Sequence, residues 1–385
     1  MVKYDTCAIL NLTANNAALY PLTYNRPIAA LPFAGRYRLI DFMLSPLSYA
    51  HIASVALFIG DSGRSIYDHV RSGKDWKLDS RIRGGIFTFS QQNWKARHHH
   101  ENQIEDYYYN HRIFLERSRC QYVLVAGTKI IANVNFRDLK SAHIESGKDI
   151  SLVYADSHPD LFGKDHPNER FLDLDTKGQV KKLLKKSQLN ETHYTYPVSL
   201  NMFLLSTDLL RDLIDQARAR GEYMEVDELV QAHLMHYSIN LFKHESYIAN
   251  INHLMAYYQA NVDMLNYQNF KDLFHSDQPV LTKTKNGVPS YYHERSFVRN
   301  AIVGTGCKMF GEVLDSVINR RVLVGENARV THSVILQGAQ IGEGAVVEYA
   351  ILDKGAQIAP GAIIRGTKEQ IKIIGKNHFV DAKIH

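Results

Sequence analysis

The stretch 322–365, VLVGENARVTHSVILQGAQIGEGAVVEYAILDKGAQIAPGAIIR, decides the architecture of the C-terminal part. Val324, Val330, Leu336, Ile341, Val347, Leu352, Ile358 and Ile364 recur every five or six residues. Gly325, Gly338, Gly342, Gly344, Gly355 and Gly361 punctuate them. One aliphatic residue per short face points inward, and small residues permit tight corners. That is the hexapeptide signature of a β-helix. Such a scaffold speaks for stability and association and names no reaction.

Upstream the grammar differs. Residues 4–12, Val55–Ile59, Tyr122–Ala126 and Ile150–Ala155 are short apolar runs, with helical patterns such as Ile40–Leu47 and Ile104–Leu115 between them. Strands alternating with helices predict a mostly parallel, doubly wound, Rossmann-like α/β sheet. Ligands then bind beyond the carboxyl ends of the strands, after Leu12 and after Ala126. The expected division is a first domain over 1–274, a polar linker over 275–295 and a β-helix over 296–385.

Composition narrows the function classes. With 385 residues and 45% hydrophobic content, two domains with sizeable cores are affordable. The formal charge of +5 is modest, and no basic tract interleaved with aromatics argues for nucleic acid. The cluster Lys181, Lys182, Lys185 and Lys186 reads as a solvated face. Cys7, Cys120 and Cys307 are odd in number and far apart, which fits a reducing cytoplasm rather than a disulfide framework. Neither a signal peptide nor a membrane-spanning run is expected. The cluster His98–His100 reads as a solvent-exposed loop, since neighbouring side chains in extended chain point apart.

The segment Pro32–Phe42, PFAGRYRLIDF, followed by Leu44 and Ser45, resembles the PFGGKYRIIDFxLSN segment of ADP-glucose pyrophosphorylases (glucose-1-phosphate adenylyltransferases). Tyr20–Thr23 resembles the family's YPLT, and Tyr257–Leu265 its YWEANLDL. Gly311–Val324 is similar to the stretch that opens the family's left-handed β-helix. The resemblance implies a reaction in which glucose 1-phosphate attacks the α-phosphorus of ATP. Such chemistry needs backbone N–H groups on phosphates, cations on the leaving pyrophosphate and carboxylates on Mg²⁺.

Those parts are missing. The family's GGxGTR loop falls on Thr13, Ala14, Asn15, Asn16, Ala17 and Ala18, so every glycine and the arginine are gone. Asn15 and Asn16 can still support a turn by visiting the left-handed region. The lysine of RAKP falls on Ile28, and the metal-binding Asp that follows the strand Tyr122–Ala126 is Thr128, with Lys129 next. The adenine-side segment falls on Asn102–Asn110, and DVGT falls on Asn250–His253 without its Asp and Gly. Lys186 matches the sugar-phosphate lysine, and Asp227 loosely matches a metal carboxylate. Both also read as ordinary surface or capping residues. Arg26, Arg36 and Arg38 offer a basic site for an anionic sugar-phosphate effector, or brace the fold through salt bridges.

The resemblance therefore points to a GlgD-type non-catalytic subunit. It would bind no cofactor firmly, would have no catalytic residue or metal site of its own, and would leave Mg²⁺ and ATP to a homologous catalytic chain in a hetero-tetramer, or else form homo-oligomers. Three other readings are weighed against it: an active sugar-phosphate nucleotidyltransferase with a diverged site, a sugar-phosphate sensor, and a hexapeptide acyltransferase. The last would need a catalytic histidine in the repeat, where only His332 occurs.

Overall fold

The computed structural model describes residues 5–14, 16–60, 62–79, 84–91, 107–159, 169–189 and 194–382. The cluster His98–His100, Asn15 and residues 102–106 of the adenine-side segment lie outside the described residues.

β1 (Thr6–Asn11) lies at the centre of a nine-stranded sheet with all six residues buried. β2 (Ser54–Ile59) and then β3 (Gly85–Ser90) flank it on one side, β4 (Tyr122–Gly127) on the other, and these four strands are parallel. The remaining strands are β5 (Ile150–Ser157), β6 (Phe171–Leu174), β7 (Val180–Leu184), β8 (Tyr196–Ser206) and β9 (Ile239–Lys243). β8 runs antiparallel to both β4 and β5, so the sheet is mixed rather than mostly parallel. The reason lies in the connection: β8 follows the β6–β7 hairpin instead of a crossover helix, and a return without crossover gives antiparallel pairing. Asn201, at φ 52°, interrupts the β5–β8 register between Ser199 and Phe203. A left-handed Asn serves such a bulge because its short polar side chain tolerates that region.

Eight helices are described: α1 (Asp41–Tyr49), α2 (Arg64–Val70), α3 (Tyr109–Ser118), α4 (Phe136–Ser146), α5 (Thr207–Arg220), α6 (Val226–His233), α7 (Leu254–Asp263) and α8 (Tyr267–Phe274). Alternate residues of the strands feed two cores, one on each face. Leu10, Leu57 and Leu124 pack with Leu44 and Leu139. Ile9, Phe58 and Val125 pack with Phe114, Leu213 and Leu229. Tyr107 and Tyr108 precede α3 and are buried, whereas Tyr109 is exposed.

The repeat folds as expected, into a left-handed β-helix with three faces. Val324, Ile341 and Ile358 stack in register on one face, and Val330, Val347 and Ile364 on the next. Ile335 and Leu352 stack on the third. Each coil spans 17 residues, and so the five- or six-residue spacing marks three inward positions per turn. His332 sits at a corner with φ 48° and stacks on Tyr349 at 4.6 Å.

The halves are not beads on a string. Val317, Val334 and Ile351 of the β-helix share one core with Phe33, Phe42, Tyr257 and Phe274. Tyr258 Oη donates to the carbonyl of His332 at 2.6 Å. The segment between the halves is also tied down. Trp76 Nε1 donates to Leu281 O at 3.2 Å, Ser45 Oγ accepts from Leu281 N at 2.9 Å, and Asp75 accepts from Thr284 N at 2.9 Å.

Candidate functional site

The strand order reverses beside β1, and the ends of β1 and β4 open the crevice where such sheets bind ligands. Asn11 closes β1. Its Nδ2 donates to Asp227 Oδ1 at 2.8 Å, and its Oδ1 accepts from Thr13 N at 2.8 Å. Asp227 is buried in the first turn of α6, and burial raises its carboxyl above the usual range. The acid thus braces Asn11. Thr128 is buried, and its hydroxyl donates to Asn11 O at 3.4 Å.

The segment that matches the family's phosphate loop is tied to the residues that follow it. Thr23 Oγ1 donates to Asn16 O at 2.8 Å, and Asn16 has φ −116°, so it makes no use of the left-handed region open to it. Ala17 and Ala18 are exposed and carry no charge to the crevice, while Ala14 is half-buried. Ile28 is buried in the shared core, so the lysine position is filled by packing. Glu225, which the sequence reading missed, hydrogen-bonds Thr13 and Tyr107. Burial, with Asp227 and Glu228 adding to it, raises Glu225 to about 7. An acid beside the loop is the reverse of what a polyphosphate requires.

On the other side of Gly127–Thr128, Lys129 Nζ pairs with Glu169 Oε1 at 3.4 Å. Asn250 and Asn252 donate to the same oxygen at 2.6 and 2.9 Å. Lys129, Glu169 and Asn250 are buried. Asn250 occupies the Asp position of the family's DVGT and donates to Glu169 instead. Among the described residues no three His, Cys, Asp or Glu side chains gather to hold a metal ion. Lys186 opens the short turn Lys186–Gln188 and is half-buried, while Lys181, Lys182 and Lys185 are exposed. His253, whose imidazole is held below its ordinary range by burial, feels both Glu169 and Lys186.

A second site lies where the domains meet. A cavity of ≈ 90 Å³ is lined by Arg26, Arg38 and Ser65 on one side and Asp353, Lys354 and Lys376 on the other. Arg26 is committed to a buried ion pair with Asp353, and its Nε donates to Leu22 O at 2.6 Å. Arg38 is half-buried, and its Nη1 donates to Ser65 O at 2.7 Å. Arg36 is exposed, with its guanidinium 5.3 Å from the Tyr37 ring centroid. The sequence reading also missed Lys285 and Arg320. Burial, then Arg38, Arg320, Lys283 and Lys354, pushes Lys285 down to about 8. Arg320 Nε and Nη1 are buried without a hydrogen-bond partner. Cations gathered this closely create a strong demand for an anion. Neither Lys285 nor Arg320 carries a local sequence signal, because they join the arginines only when the linker and the β-helix fold back.

Comparison with known proteins fits this organisation. Residues 17–264 match the Nucleotidyl transferase family, and residues 287–372 match the GlmU-like C-terminal hexapeptide family. The chain is similar to the glycogen biosynthesis protein GlgD of Geobacillus stearothermophilus, 35% identical over 96% of this chain and 95% of that one. It is also similar to GlgD of Bacillus subtilis (strain 168), 30% identical over 86% of this chain and 84% of that protein. The glucose-1-phosphate adenylyltransferase of Clostridium novyi (strain NT) is 23% identical over 85% of each chain. Among the described residues no helix is long and apolar enough to cross a membrane. With both family matches in the observed domain order, the chain belongs to the nucleotidyl transferase family as a GlgD-type relative of the glucose-1-phosphate adenylyltransferases.

Proposed function

We propose that this chain is a non-catalytic, regulatory subunit of a glucose-1-phosphate adenylyltransferase in glycogen synthesis, acting in the cytoplasm through a homologous catalytic chain. The observation that carries the reading is the crevice itself. Thr128 stands where the family has a metal carboxylate, Asn250 lacks the acid of the family's DVGT, Lys129 next to Thr128 brings a positive charge paired with Glu169, and Glu225 hydrogen-bonds Thr13 in the segment that matches the family's phosphate loop. Transition-state stabilisation of phosphoryl transfer depends on those charges having the opposite sign. ATP and Mg²⁺ then belong to the catalytic partner.

A chain without chemistry changes a rate only by binding one conformation of its partner better than another. The basic junction supplies a lever, because an anionic effector seated there touches both domains at once. A sugar phosphate suits a cavity lined by Arg38, Lys354 and Lys376. Coupling of about 1–3 kcal/mol changes effector affinity roughly 5–150-fold, so no large rearrangement is required.

The test is to titrate a catalytic homologue from the same cell with this chain and follow pyrophosphate release, with and without sugar phosphates. The expected result is a co-purifying hetero-oligomer with higher activity or a shifted effector curve. Failure to co-purify, with unchanged curves at saturating ratio, refutes it.

A further inference from the structure

Cys7 and Cys120 are distant in the sequence, and the fold brings their thiols together. Cys7 lies in the central strand β1 and is fully buried. Cys120 lies in the short turn between α3 and β4. Arg119, at φ 51°, ends α3, and Gln121 N and Tyr122 N then both donate to Asp5 O, at 2.8 and 2.9 Å. This pins the turn against the start of β1, and both cysteines enter one core with Phe114 and Val123. Cys7 Sγ lies 3.7 Å from Tyr122 O, and its S–H also hydrogen-bonds the Cys120 sulfur. That bond holds the Cys120 thiol below its ordinary range, and the same bond, followed by burial, holds Cys7 well above it. The two sulfurs are therefore unequal. Cys120 is 9% exposed and the more acidic, whereas Cys7 is 0% exposed and keeps the proton. Cys307 supplies the contrast. Its Sγ donates to Asn319 O at 3.0 Å inside the β-helix core, away from the other two thiols, as an isolated buried cysteine that serves as a small apolar residue.

We propose that Cys7 and Cys120 form a reversible oxidation site, at which hydrogen peroxide converts the two neighbouring thiols into an intramolecular disulfide. Three physical arguments support it. First, a disulfide needs converging side chains, and a thiol–thiol hydrogen bond meets that condition. Second, the thiolate is the nucleophile, and the sulfur that favours it is the one that borders solvent. Third, a low-lying thiol beside a resolving thiol is the arrangement that stops oxidation at the reversible stage. The steps balance. The Cys120 thiolate attacks one peroxide oxygen, the S–O bond forms, the O–O bond breaks, and hydroxide leaves to become water with the proton that Cys120 gave up. Cys7 sulfur then attacks the sulfenic sulfur, the S–S bond forms, the S–O bond breaks, and the departing hydroxide takes the Cys7 proton. Two thiols and one peroxide give one disulfide and two waters, and a dithiol reverses the change. The bond would close the chain that carries β2, β3 and α1 to α3 back onto β1, the strand that delivers Asn11 and Thr13 to the crevice. In a reducing compartment such a bond is transient and acts as a sensor. The site needs neither a partner chain nor any particular reading of the crevice.

The experiment treats the purified, reduced full chain with hydrogen peroxide under native conditions, alkylates the remaining thiols in denaturant, and reads intact mass and a peptide map. The expected product carries one alkylated cysteine, Cys307, and a peptide pair joined through Cys7 and Cys120, and dithiothreitol restores alkylation at all three cysteines. Cys307→Ala should leave the cross-link unchanged. Cys7→Ala should leave a sulfenic acid on Cys120 that dimedone captures. In Cys120→Ala the remaining Cys7 should react with peroxide roughly tenfold or more slowly than Cys120 does in the parent. Because Cys7 sits in the middle of the sheet, the Cys120→Ala variant and the parent's peptide map decide the matter if Cys7→Ala does not fold. Oxidation only after unfolding, a cross-link through Cys307, or a bond between two chains overturns the proposal. So does passage of Cys120 to the sulfinic acid while Cys7 stays free, which would show that the two sulfurs do not meet. The titration of a catalytic homologue with this chain has no bearing on these readouts, so the two readings fail separately.

Discussion

Replacing Asp353 by alanine removes one partner of the buried ion pair that joins the first domain to the β-helix. Asp353 is 1% exposed and the Arg26 side chain 12%. Removing one member of such a pair costs about 3–5 kcal/mol, because the guanidinium left behind stays desolvated. At roughly 2.1 cal/mol/K per residue, a chain of 385 residues unfolds with an entropy of about 0.8 kcal/mol/K. The melting temperature should therefore fall by about 4–6 °C. The shared core around Tyr257, Phe33 and Val334 makes both halves melt together, so calorimetry should record one transition. The same substitution releases Arg26 into a cavity that already holds Arg38, Lys354 and Lys376. Phosphate at a hundred times its dissociation constant stabilises by about 2.7 kcal/mol. It should thus return about 3 °C to the variant, and less to the parent, where Asp353 competes for Arg26. A fall below about 1 °C, or an equal phosphate gain in both proteins, refutes the reasoning.

Other expectations follow from the crevice and the core. The purified chain with ATP, Mg²⁺ and glucose 1-phosphate should turn over at least two to three decades below an ordinary enzyme's roughly ten per second, because several transition-state contacts are lost together. A pyrophosphate-release assay checks this. Thr128→Asp alone should restore nothing, since Lys129 remains and the phosphate loop lacks its glycines; robust synthesis by the single variant would contradict this. Glu225 is held at about 7, above its unfolded value near 4.5, so its neutral form favours the fold. That contribution is complete below about pH 4.5 and lost as pH rises toward 7, and Glu225→Gln should gain stability relative to the parent at pH 8 but not at pH 4.5. Melting curves across that range test the sign. A chain ending at Tyr292 should lose oligomerisation in light scattering, and it also uncovers the core around Tyr257 and Phe33, so aggregation is expected on warming.

The β-helix was legible because each inward residue obeys a short spacing, and local periodicity survives without knowledge of the contacts. The departures from the family motifs at Ala14, Thr128 and Asn250 were legible for a similar reason, as residue types at fixed offsets. The partners of those positions in the folded chain were not. Lys129 finds Glu169, Thr13 finds Glu225 and Arg26 finds Asp353 only through the tertiary fold, and a single acid in a polar segment carries no sign of its partner. Ile28 shows the complementary limit. Its apolar character was read as a missing charge, whereas the structure makes it a core residue under the junction. The antiparallel arrival of β8 escaped because an apolar run reads the same in either direction.

The 17-residue coil has a consequence for how chains of this kind can change in length. Neighbouring coils lie about 4.8 Å apart along the axis. Duplicating a whole coil before Arg320 would carry Asp353 and Lys354 one step along that axis, beyond reach of Arg26 and Arg38. Duplicating one after Lys376 would leave the junction where it is. An insertion that is not a whole coil would instead rotate the inward residues onto the wrong face. The β-helix thus acts as a graduated ruler fixed along the coils from Val317 to Asp353. Whole coils added beyond Lys376 should be tolerated, and the position of the junction is set by the coils before it.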